Sequence, residues 1–196
     1  MTKEELAWEI ARGLIETGVE GGYDAVSCST AGDYPSIGCS QWEGGRANDL
    51  LERIPGGSHY AYRTYSDLWT TRELDALSQL LDSLEGQAAQ LQKLAEDSED
   101  YVEELFHVLD DARCVIYAGI WCPTSTSVVC RFIGNRAEWG YDVNDLAELY
   151  ELFRDDYARA ASCEEYADGY ANRAQRTFEY VSALDLSRYG VPAFEG

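Results

Sequence analysis

From Thr2 onward the sequence repeats one pattern: a residue able to cap a helix, then apolar residues three and four positions apart. That period commits most of the chain to amphipathic helices and leaves little room for a large sheet. Thr2 and Glu5 form a capping box, in which hydroxyl and carboxylate each serve a backbone N–H that the first helical turn leaves without a partner. Leu6, Ala7, Ile10, Ala11, Leu14 and Ile15 supply the stripe, and Gly18 is the stop. Glu20 is thereby placed just beyond a helix end, at the head of a loop.

The pattern breaks between residues 21 and 45. Gly21-Gly22, Ala31-Gly32-Asp33, Tyr34-Pro35, Gly38 and Gly44-Gly45 are turn signals, and they allow at most a short hairpin or small sheet. A helix resumes near Arg46, carries Ala47, Leu50, Leu51 and Ile54, and ends at Pro55-Gly56-Gly57. A second capping box, Thr70 with Glu73, precedes Leu74, Leu77, Leu80, Leu81 and Leu84. Ser98 opens a further segment with Tyr101, Val102, Leu105 and Phe106 as its stripe. Cys114 to Trp121 is apolar almost all round, the signature of a buried central helix. Pro123 separates it from a helix running towards Gly134. Asn144 caps a segment bearing Leu146, Leu149, Tyr150, Phe153 and Tyr157, and Ser162 with Glu165 opens a last helix to about Leu184. The expected fold is mainly α with a small irregular or β element near residues 21–45. It is expected as one domain over 1–196, with a helical extension from about residue 140.

Charge narrows the partners. The 15 Lys+Arg stand against 36 Asp+Glu, a net −21, so nucleic-acid phosphates and anionic lipid headgroups both repel the chain. Nucleic acid and membrane are therefore not expected partners. No uninterrupted apolar run reaches about 18 residues, and Met1 to Leu6 lacks the basic-then-apolar order of a secretory signal, so synthesis in a cytoplasm is expected. The six cysteines (Cys28, Cys39, Cys114, Cys122, Cys130, Cys163) contain no C-x-x-C, and only His59 and His107 could join them. Neither a metal nor any other cofactor is expected, and buried free thiols are the simplest use of the sulfurs.

Chemistry concentrates in one segment. It reads Glu20-Gly21-Gly22-Tyr23-Asp24-Ala25-Val26, and then Ser36-Ile37-Gly38-Cys39-Ser40-Gln41-Trp42-Glu43-Gly44-Gly45-Arg46-Ala47. A glutamate at a helix end, followed by a Ser-x-Gly-x-x-Gln turn, resembles the active-site region of the lysozyme-like superfamily, which includes goose-type lysozymes, lytic transglycosylases and phage peptidoglycan hydrolases. The continuation Gln41-Trp42-x-Gly44-x-Arg46-Ala47 looks closest to phage and Gram-positive cell-wall muramidases. Val115-Ile116-Tyr117-Ala118-Gly119 lies where transglycosylases carry Tyr-Asn-x-Gly, with Ala118 replacing the Asn. The resemblance covers roughly residues 1–135.

The resemblance implies cleavage of the MurNAc–GlcNAc bond of peptidoglycan with Glu20 as general acid. Such an acid protonates the leaving oxygen, and burial beside aromatic rings keeps it protonated. In goose-type lysozymes two further acids position the attacking water, and Asp33 and Glu43 fall at matching places. Asp33 is equally a turn residue and Glu43 a rim charge. Without such an acid the substrate's own hydroxyl closes an anhydro ring, the lytic route. Tyr23, Ser36, Gly38, Gln41, Trp42, Tyr117 and Trp121 are the implied substrate contacts. Trp42 and Trp121 either stack on sugars or fill the core. Action at the wall implies holin-type release or carriage in a phage particle, and the acidic charge suggests a separate wall-binding module or subunit. The alternative is a non-catalytic glycan-binding or phage structural module on the same scaffold, or an acidic decoy for a basic protein.

Overall fold

The computed structural model describes residues 1–160 and 164–194. In chain order they form α1 (Lys3–Glu16), β1 (Val26–Cys28), β2 (Pro35–Ile37), β3 (Trp42–Glu43), α2 (Gly44–Arg53), α3 (Tyr65–Thr70), α4 (Leu74–Leu81) and α5 (Leu84–Leu105). Then follow α6 (Ala112–Trp121), α7 (Thr126–Glu138), α8 (Leu146–Glu151), a π-helical turn over Leu152–Tyr157, and α9 (Glu164–Ala183). The fold is mainly helical with one small antiparallel sheet, as the hydrophobic spacing predicts. Among the described residues no helix is long and apolar enough to cross a membrane.

The chain gathers into two compact units, Met1–Val19 with Ala95–Gly196, and Glu20–Leu94. In the first, α6 is the hub. Every residue from Arg113 to Trp121 is buried. Its sequence contains Gly119 because α1 lies against it: a Cβ there would overlap Ile10, and one at Gly13 would overlap Ile120. The α1 start forms the expected capping box, with the Thr2 N–H to Glu5 bond at 2.7 Å and the Glu5 N–H to Thr2 hydroxyl bond at 3.2 Å. Two arginines join α6 to α9 reciprocally. Arg113, at the start of α6, donates to the carbonyls of Val181, Leu184 and Pro192 at 2.8, 3.1 and 3.1 Å. Arg173, on α9, donates to the Ile120 carbonyl at 2.7 Å and lies 4.3 Å from the Trp121 ring centre. Each guanidinium thus bonds carbonyls at or beyond the C-terminal end of the other helix, where the last turn leaves acceptors over.

In the second unit the sheet order is β1-β2-β3, all antiparallel. Register sorts the side chains by face, since directly opposed residues point the same way. Val26, Ile37 and Trp42 form one cross-strand row, with Ile37 and Trp42 fully buried. Ser27, Ser36 and Glu43 form the row on the other face. Helix α2 packs against β2 and β3 and buries Ala47, Leu50 and Leu51.

Several expected caps are replaced. Thr70 is the last residue of α3, which Thr64 caps instead; Glu73 stands at the N-cap of α4 but makes no side-chain cap bond. Its carboxylate is held by His59, Arg63 and Thr71, each at 2.6 Å. Ser98 begins nothing: it is buried inside α5, one step along the seam of Leu94, Ala95, Val102 and Leu105. Leu84 opens α5 and is exposed rather than part of a stripe. Asp145, not Asn144, caps α8; the Asn144 amide oxygen instead accepts from the backbone of Asp110 and Asp111 at 2.7 and 2.9 Å. The Ser162–Glu165 capping box falls on Ser162 and the side chain of Glu165, outside the described residues.

Candidate active site

Helix α1 ends in a Schellman motif. Gly18 takes φ +65°, its N–H reaches the Ile15 carbonyl at 3.0 Å, and the Val19 N–H reaches Leu14 at 3.1 Å. Glu20 follows two residues later, half-buried, where the chain leaves the helix.

The segment after Glu20 and the Ser36–Gln41 turn meet directly. The Gly21 N–H donates to the Cys39 carbonyl at 2.8 Å, and the Gly38 N–H donates to Ala25 at 2.8 Å. One buried side chain fastens both. Gln90 of α5 accepts from the Cys39 N–H at 2.9 Å through its amide oxygen, while its amide nitrogen donates to the carbonyls of Tyr23 and Leu81 at 3.2 and 2.9 Å. Gly38 is what admits it. The residue has φ +71°, and a Cβ would overlap the Gln90 amide oxygen. The demand for glycine here therefore comes from an internal amide and a left-handed turn. Glu20 is electrostatically coupled to the same turn: the Cys39 thiol is pushed up to about 12, first by burial and then by the Glu20 charge.

Gln41 closes the turn, its N–H donating to the Gly38 carbonyl at 3.1 Å, and it holds an uncommon φ of +53°. Its side-chain oxygen accepts from the Ser27 and Ser36 hydroxyls at 3.1 and 3.2 Å. The Ser29 hydroxyl donates to Glu43 at 2.9 Å. One face of the sheet is thus a band of hydroxyl, amide and carboxylate groups: Ser27, Ser36, Gln41, Ser29 and Glu43. Ser36 is itself buried, so its hydroxyl orients Gln41 rather than meeting a ligand. Such a band offers donors and acceptors side by side, the pairing that a sugar hydroxyl requires.

The second candidate carboxylates differ. Glu43 is half-buried within the band. Asp33 is exposed, and its Oδ1 accepts from both the N–H and the hydroxyl of Ser66 at 2.9 Å, fastening the β1–β2 loop to the first turn of α3. Tyr23 is half-buried and contributes its carbonyl to Gln90.

The three aromatic contacts implied by the resemblance are corrected by burial. Trp42 lies in the apolar row beside Ile37 with 1% of its surface exposed. Tyr117 and Trp121 belong to α6 in the first unit and expose nothing. The Tyr117 hydroxyl donates to Ala174 at 3.4 Å, and its ring meets Phe153 edge-on at 5.6 Å. Trp121 meets Phe153 at 4.6 Å and Tyr157 at 5.1 Å. None of the three has a ring face for a sugar to stack on.

Gln90 is the residue that motif reading misses. The signal was a polar amide among Ala89, Leu94 and Ala95, but nothing local connects it to a turn 51 positions earlier. Among the described cysteines all five are free thiols, with Cys39, Cys114 and Cys122 buried. Comparison with protein-family models, with curated proteins and with solved structures returns no match.

Proposed function

We propose that the chain cleaves the glycan strands of bacterial peptidoglycan, with Glu20 as the general acid. The observation that carries this reading is the double fastening by Gln90. It holds the segment following Glu20 and the Gly38–Gln41 turn against each other as one rigid piece. A general acid contributes only if it meets the leaving oxygen within hydrogen-bond reach, so a carboxyl at the edge of a fixed, polar band is better suited than one on a mobile loop. Gln41 and Glu43 on that band supply the donors and acceptors that would orient the sugar.

Glu43 is the better of the two partners for an attacking water. Asp33 spends its Oδ1 on Ser66, and moving it would loosen α3. Water placed by Glu43 gives hydrolysis. If Glu43 does not place it, the substrate's own hydroxyl attacks and an anhydro sugar results.

Turbidity loss on purified walls tests the acid. Glu20→Gln keeps the shape and removes the proton, so lysis should fall by at least about 100-fold, with circular dichroism unchanged. Undiminished lysis by this variant would end the assignment. Mass analysis of the products separates the routes, because anhydro muropeptides are lighter than hydrolytic ones by one water.

A further inference from the structure

The second unit carries a cavity of about 370 Å³ between the end of α3 and the start of α4, lined by Trp69, Arg72, Leu74 and Asp75. Two features separate it from an ordinary surface dent. The first is Trp69, an indole that lines the cavity with 67% of its surface exposed. The second is Arg72, which has φ +60°. Helix α3 ends in a Schellman motif, with the Arg72 N–H on Trp69 at 3.1 Å and the Glu73 N–H on Leu68 at 2.9 Å. The left-handed position of that motif is ordinarily glycine. An arginine there costs stability, and such outliers persist where the surroundings fix them and a site uses them. The surroundings do fix this one: Glu73, the next residue, is gripped by His59, Arg63 and Thr71.

We infer that this cavity is a sugar subsite, taking one pyranose ring of a glycan strand stacked on Trp69 with its hydroxyls bonded by Arg72 and Asp75. The chemistry of the lining selects that occupant. A pyranose has a C–H-rich face that packs on an indole, and equatorial hydroxyls that both donate and accept. Arg72 supplies only donors and Asp75 only acceptors, while Leu74 lines the cavity with apolar surface. The opposed charges of Arg72 and Asp75, in a chain of net −21, disfavour a phosphate or carboxylate ligand. The inference deepens the glycan reading of Glu20 and rests on it for the class of polymer.

Calorimetric titration with chitotetraose in the Glu20→Gln background tests the subsite without turnover. Adding Trp69→Ala should weaken binding at least about 10-fold, which is roughly 1.4 kcal/mol. Adding Arg72→Gly should weaken it several-fold while raising the thermal midpoint by about 2–4 °C, because glycine relieves the left-handed strain. A purely structural Arg72 would give the second effect without the first. Equal affinity in all three proteins, or no binding by the Glu20→Gln chain, would overturn the inference. So would Trp69-dependent binding of a free stem peptide in place of the sugar. The acid is judged separately by wall lysis. Lost lysis in Glu20→Gln with Trp69→Ala binding unchanged retires the subsite alone. Trp69-dependent chitotetraose binding by a chain that lyses no wall retires the acid alone.

Discussion

At Gly38 three requirements coincide: a left-handed φ, contact with the Gln90 amide, and a place in the turn beside Glu20. Gly38→Ala should therefore destabilise the fold by about 2–4 kcal/mol, from strain together with displaced buried hydrogen bonds, as read from urea unfolding. Cys39 reports on the same change. Its thiol, held near 12, is almost wholly protonated at pH 8 and should resist iodoacetamide in the native chain. Releasing Gln90 by Gln90→Ala should expose Cys39 to alkylation and reduce wall lysis together; lysis retained while Cys39 becomes reactive would show that the fastening does not serve the acid. Glu43→Ala should lower hydrolytic activity more than Glu96→Ala does, and near-wild-type hydrolysis by Glu43→Ala would remove it as the water-placing group. Some of this was legible from residue types alone. The turn and the helix-end glutamate stand out because both are local in sequence. Gln90 does not, because a buried amide carries no mark of the backbone it will meet. Trp42, Tyr117 and Trp121 mislead for a related reason: an indole or phenol reads identically whether its face meets a sugar or Phe153.

Elements show the same division between local and distant causes. The Thr2–Glu5 box is readable because its partners lie within one turn, and α6 because apolar residues almost all round a helix call for burial whatever covers them. The Thr70–Glu73 spacing matched a capping box equally well, yet tertiary partners claimed the carboxylate. His59, Thr71 and Arg63 hold Glu73 near pH 2, well below the ordinary value of roughly 4.3. A depressed carboxyl stabilises the fold above its unfolded pKa and loses that contribution as pH falls through the folded one. The junction of α3 and α4 should accordingly be intact at pH 5 and loosen between about pH 4 and pH 2. Hydrogen exchange over Tyr65–Leu81 measures this, and Glu73→Gln should flatten the acid dependence. The arginine clasp makes a second element-scale expectation. Arg113→Met keeps the aliphatic stem but strips donors from three carbonyls around the end of α9. The urea midpoint should drop by the equivalent of roughly 2–4 kcal/mol.

For the whole molecule, charge sets the terms. Arg113 and Arg173 are committed to carbonyls, and Arg136 lies between Glu148 and Asp156 at 3.5 and 3.3 Å, so these three of the cations already counted in the net −21 are engaged within the fold. Exposed like charges are screened over about 8 Å at physiological ionic strength. Wall lysis should hold or rise from about 20 to 200 mM salt, opposite to a basic lysin, and a steep fall would overturn the repulsion argument. Glu20–Leu94 is continuous, whereas the first unit joins Met1–Val19 to residues from Ala95 onward. Ile10 cannot meet Gly119 until a loop of about 100 residues closes, an entropic cost that grows only slowly with length but that local contacts avoid. Pulse-labelled refolding should then protect amides of the sheet and α2 before those of α1. The helix that precedes Glu20 would be among the last parts to acquire protection, and the proposed glycan cleavage would be expected to switch on only at the end of folding.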